Sequence, residues 1–127
     1  MKKIMTSQAP TPAGHYSQGV HANGFIFVSG QLGIDPQNPD APPGKIEEQT
    51  HQTIKNVRAI LRAGGTDLDR VVKSTVYVAN IEYWTKVNEI YASYFGDHRP
   101  ARAIVPTRDL HHGYLIEMEV IAFPEVF

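Results

Sequence analysis

Arg102 lies in the stretch RPARAIV, residues 99–105, with alanine and aliphatic residues on either side. A permanent guanidinium charge in such a strand has to meet an anion, because burying it alone is strongly unfavourable. A carboxylate of the same chain or of a neighbouring subunit would make a structural ion pair. A ligand carboxylate would instead be gripped by two parallel hydrogen bonds, and the small side chains around Arg102 leave room for it. Glu117 and Glu119 stand two apart in YLIEMEVIA, so on a strand they share one face. If that face is covered, one of them pairs with an arginine and the other, stripped of water, becomes a weaker acid able to move protons near neutral pH. On a wet edge, both are ordinary surface charges. Asn88 falls one turn after Trp84, where its amide needs a partner, and Tyr16 and Ser29 offer hydroxyls that can orient a small polar ligand.

Other chemistries find little support. His111 and His112 are adjacent, with Asp109 nearby, but neighbours on a strand point apart and no spacing supplies a third ligand, so no metal is expected. There is no nucleotide loop, nucleophile elbow or HExxH. The absence of cysteine removes disulfides, thiol catalysis and thiolate metal sites together, and suits the cytosol. Twelve Lys and Arg against thirteen Asp and Glu, without a long run of either, give no electrostatic case for nucleic acid or an anionic membrane. MKKIMTSQAP lacks the apolar core of a signal peptide, and runs such as FIFV fall far short of the roughly 18 residues of a membrane span. The expectation is one soluble cytoplasmic domain over residues 1–127, with a core large enough for two layers.

The elements that must position these residues follow from local pattern. Asn23-Gly24 tolerates two positive φ values and closes a hairpin between Ser17–Ala22 and Phe25–Ser29, which opens the fold. GIDPQNPDAPPGK holds four prolines and reads as a long surface loop. Ile46, Thr50, Ile54, Val57 and Leu61 recur at helical spacing, and Gly64-Gly65 ends that helix. Val71–Ala79 is a strand. Asn80 caps a second helix whose apolar side carries Trp84, Val87, Tyr91, Tyr94 and Phe95, ended by Gly96. ARAIV and the alternating YLIEMEVIA are the last two strands, separated by the turn DLHHG. The order β-β-α-β-α-β-β predicts an α+β fold with both helices on one face of a mixed sheet. The other face is half apolar, a patch larger than a monomer usually leaves in water, so subunits are expected to pack there as a homo-oligomer.

Five segments, HYSQGV, FVSGQLGIDP, AGGTDLDRVVKSTVYV, VNEIYASYFGDHRPARAIV and LIEMEVIA, together resemble the reactive-intermediate deaminases, the RidA or YjgF-like family, over nearly the whole chain. The resemblance implies a chorismate-mutase-like fold assembled as a homotrimer with ligand clefts between subunits. It also implies hydrolysis of reactive enamines and imines, such as 2-aminoacrylate and 2-iminopropanoate, to 2-keto acids and ammonia, with no cofactor or metal. On this resemblance Arg102 matches the carboxylate-binding arginine and Glu117 the glutamate that positions or activates water. Tyr16, Ser29 and Asn88 match pocket positions, and the backbone around Ile104 helps hold the carboxylate. Three departures stand out: His15 replaces a common proline, Ile104 a frequent cysteine, and LHHG the usual L-P-x-G turn. They bear on substrate choice. The general 2-imino acid deaminase is the leading reading. The alternatives are a pathway-specific deaminase such as one acting on 2-aminomuconate, whose second carboxylate would recruit Arg108 or a histidine, and a non-catalytic module binding small carboxylates. Near-neutral charge and the lack of a basic aromatic surface make RNA the weakest partner.

Overall fold

The structure, a computed structural model, describes residues 1–124. Six strands form one mixed sheet: β1 Lys2–Ile4, β2 Gly19–Ala22, β3 Phe25–Leu32, β4 Val71–Val78, β5 Ala101–Pro106 and β6 Ile116–Ala122, in the order β1-β2-β3-β6-β4-β5. Only β4 and β5 run parallel, as the intervening helix α2, Trp84–Phe95, requires; α1, Ile46–Ala63, joins β3 to β4. Both helices cover one face. Alternation is clean in β6, where Ile116, Met118, Val120 and Ala122 are buried beneath them and Glu117, Glu119 and Ile121 look out on the other side. The five residues that set the α1 periodicity are all buried, as are Val87, Tyr91 and Phe95 of α2, while Trp84 is exposed and Tyr94 half-buried at the rim.

Three local expectations change. A short strand, β1, precedes the hairpin and pairs with β2, so the hairpin does not open the fold; three residues with only Ile4 buried are too few to show a period. The hairpin turn itself is as read, with φ of 50° at Asn23 and 80° at Gly24, but β3 runs on past Ser29 to Leu32. Asn80 does accept a hydrogen bond from the Glu82 N–H, yet the element it caps is a 3-10 turn, Ile81–Tyr83, and α2 starts only at Trp84. No helix among the described residues is long and apolar enough to cross a membrane.

Three buried side-chain amides hold the irregular segments to this frame. Gln18 accepts from the Thr6 N–H and donates to the carbonyls of Thr6 and Pro10, pinning the N-terminal arm. Gln49 accepts from the Leu115 N–H at 2.8 Å and donates to the Gly44 carbonyl at 2.7 Å. Asn56 donates to the carbonyls of Leu32 and Ile34, at 2.9 and 2.8 Å, where the proline-rich loop leaves β3. Backbone groups that leave a sheet need such substitutes. Asn56→Ala orphans both carbonyls and is expected to lower stability by about 1–3 kcal/mol, read as a shift of the urea midpoint at unchanged m.

The face away from the helices has no cover among the described residues. Val20, Phe27 and Ile121 lie side by side across three strands there, and Phe27 is 40% exposed.

Candidate functional site

The residues singled out by chemistry fall into two groups. The first surrounds a cleft of about 370 Å3 lined by Tyr16, Ser29, Leu32, His111, His112 and Glu117 among others. Ser29 sits where β3 bulges between Val28 and Gln31, and its Oγ donates to the Ser17 carbonyl at 2.6 Å. Tyr16 is half exposed and lines the cleft, with its hydroxyl 3.4 Å from the Ala13 nitrogen. Glu117 projects from β6 on the sheet face away from the helices. Burial and the neighbouring Glu119 raise its carboxyl above the ordinary value, against a smaller opposing effect of His111. Glu119 is itself held, since its Oε1 accepts the Tyr77 hydroxyl at 2.7 Å, and that hydrogen bond, with desolvation, raises the tyrosine.

Gly30 gives Glu117 its space. A Cβ at this position would lie 2.8 Å from Glu117 Oε2 and 3.0 Å from its Cδ, closer than side chains tolerate. The carboxylate is the flexible end, so Gly30→Ala should move it at little cost to folding. Where Glu117 handles a proton, the expected outcome is at least a tenfold fall in turnover with a urea midpoint close to wild type, since a misplaced reacting group costs rate before it costs stability.

The second group lies on the helix-covered face. Arg102 in β5 pairs across the ladder with Ser74 of β4. Its Nη1 donates to Asn88 Oδ1 at 2.9 Å, and its Cζ stands 4.7 Å from the Tyr91 ring centre and 5.8 Å from that of Trp84. Tyr91 is fixed by stacking on Phe95 at 4.1 Å and by a 2.7 Å hydrogen bond with Ser74. The aromatic faces stabilise the cation without neutralising it. No carboxylate of the described residues pairs with Arg102; the two ion pairs they form, Arg58–Asp67 and Arg62–Asp67, lie elsewhere. Four of its five N–H donors meet no acceptor among the described residues. Ile104 follows two residues on along the same face of β5, the last strand of the sheet, whose outer backbone groups have no ladder partner.

Arg102 and Glu117 therefore do not meet within one chain. Glu117 pairs with Tyr77 and Arg102 with Ser74, and Tyr77 and Ser74 point to opposite faces of β4. Tyr16, Ser29 and Glu117 come together; Asn88, Arg102 and Ile104 come together; a small ligand cannot reach both sets from one side of a sheet. Gly30 and the aromatic pair Trp84 and Tyr91 join the predicted set. The aromatics were visible as an apolar helix face, but their contact with Arg102 was not. Arg108 and His15 are exposed and line neither half.

The class is an α+β chain with its helices on one face of a mixed sheet, and with a cation and a partly desolvated carboxylate on opposite faces. The sequence model of the family described as Endoribonuclease L-PSP matches residues 6–123. A RutC family protein of Pyrococcus abyssi is 46% identical over 122 residues, covering 96% of each chain. The rat 2-iminobutanoate/2-iminopropanoate deaminase is 46% identical over 121 residues, 95% of this chain and 88% of that one. The crystal structure of E. coli TdcF with bound serine superposes with a TM-score of 0.93 at 31% identity, over 98% of this chain and 100% of that one. The chain belongs to the RidA/YjgF-like family.

Proposed function

We propose that the protein hydrolyses reactive 2-enamine and 2-imino acids, such as 2-aminoacrylate and 2-iminopropanoate, to 2-keto acids and ammonia, in clefts between the subunits of a homotrimer. The observation that carries this reading is the cation of Arg102, held by Asn88 and two aromatic rings with no carboxylate of the described residues beside it. The name of the rat relative supports the chemistry, and the uncovered row Val20, Phe27 and Ile121 supports the assembly.

Arg102 of one subunit grips the substrate carboxylate through two parallel hydrogen bonds and so fixes the adjacent imine carbon. Glu117 of the neighbour takes a proton from water as its oxygen bonds to that carbon. That proton passes to the imine nitrogen to complete the carbinolamine; the hydroxyl proton then follows to the amine nitrogen by way of the same carboxylate, the C–N bond breaks, and ammonia leaves with the carbonyl formed. Water supplies the oxygen, so the step needs no cofactor. Imines of this kind already hydrolyse in water, and each tenfold acceleration requires only about 1.4 kcal/mol. A serine dehydratase generating 2-aminoacrylate in the assay tests this. Added protein should speed 2-keto acid and ammonia release; an unchanged rate rejects the reading. A solution mass near one subunit would reject the shared cleft.

A further inference from the structure

His111 and His112 occupy the cleft wall beside Glu117, in a 3-10 turn between β5 and β6. Consecutive side chains normally diverge, yet these two rings meet edge to face with centres 4.0 Å apart. The cause is local: His112 has φ 57° and ψ 22°, the left-handed region that non-glycine residues rarely adopt. Such backbone costs free energy and is concentrated at sites of function. Both side chains are exposed in the chain, and neither imidazole is hydrogen-bonded to a described residue, so their N–H groups are available to a ligand.

We infer that His111 and His112 form a second anion subsite in the cleft, which selects 2-imino acids carrying a carboxylate at the far end of the side chain. The inference rests on the deaminase reading and names its substrate class. A 2-imino acid held by its own carboxylate on Arg102, with its imine carbon at Glu117, has one substituent left, the side chain. That substituent points into the remaining cleft wall, where the two imidazoles supply N–H donors beside the methyl groups of Leu32 and Ile34. A chain of a few methylenes ending in a carboxylate matches both. His111 also lies close enough to act on the charge of Glu117, which offsets repulsion between that residue and a second substrate carboxylate.

Equilibrium binding of two product analogues tests the subsite without turnover: 2-oxoglutarate and 2-oxopentanoate, which differ by a terminal carboxylate in place of a methyl group. Wild type should bind 2-oxoglutarate at least tenfold more tightly. In the variant carrying His111→Gln and His112→Asn the ratio should fall toward one; asparagine tolerates the left-handed backbone, so the turn is kept. Equal affinities in wild type, no binding of 2-oxoglutarate, or an unchanged ratio in the variant overturns the inference. Hydrolysis of 2-iminopropanoate, measured alongside, separates the two ideas. A protein that turns it over without preferring the dicarboxylate remains a deaminase and loses the subsite. One that binds 2-oxoglutarate through the histidines but accelerates no imine keeps the subsite and loses the deaminase reading.

Discussion

Subunits carrying Arg102→Ala and subunits carrying Glu117→Gln, each almost inactive alone, are expected to regain about a quarter of wild-type turnover when unfolded together and refolded as a mixture. The fraction follows from the geometry. Each cleft of the proposed ring takes its arginine from one subunit and its glutamate from the next, so with random assortment of two equal populations one cleft in about four has both intact. A site contained within one chain would recover nothing. Alone, Arg102→Ala should lower kcat/KM by about a hundredfold or more, the equivalent of two charge-assisted hydrogen bonds to the substrate. Arg102→Lys should rescue little, because an ammonium lacks the planar fork and the stacking on Tyr91 and Trp84. Kinetics of the refolded mixture against each variant measure both effects.

Glu117→Gln should lower kcat by about 10²- to 10⁴-fold with little change in KM, since in the proposed reaction this residue handles a proton and Arg102 holds the substrate. The pH dependence has a definite sign. The Glu117 carboxyl is raised above its ordinary 4.5 by burial and then by Glu119, so wild-type activity should fall as the pH drops through a value above 4.5. Glu119→Gln removes the neighbouring charge and should move that acid limb to lower pH. Stability runs the opposite way. Between the unfolded and the raised folded value the native state binds more protons, so this residue makes the fold less stable as pH rises through that window. Glu117→Gln, neutral at every pH, should therefore be at least as stable as wild type near pH 7, while nearly inactive. A variant that loses activity and stability together would instead make Glu117 a structural residue. Rate profiles and urea midpoints at matched pH distinguish the two.

What could be read without coordinates was whatever a few neighbouring residues settle among themselves. Asn23-Gly24 closes its hairpin because two positive φ values are a local demand. The α1 stripe and the β6 alternation are legible because helix and strand periods place every third or fourth, or every second, residue on one side. The six candidate residues, Tyr16, Ser29, Asn88, Arg102, Ile104 and Glu117, were named from chemistry and family resemblance, which say what a residue can do but not what stands beside it. Strand β1 escaped because three residues carry no period, and the 3-10 turn after Asn80 escaped because its cap looks the same as that of an α-helix.

Sequence by itself determined the two helices and five of the six strands, the mixed sheet with its helices on one side, and the residue types of the candidate site. Tertiary structure alone decided that Arg102 rests on Asn88 and two aromatic rings, that a missing Cβ at Gly30 makes room for Glu117, and that two adjacent histidines converge. It also decided that cation and carboxylate stand on opposite faces of β4. The reason is physical. Side-chain period is a property of the strand, whereas the partner across a sheet, the helix above it and the free side below it depend on how distant segments pack.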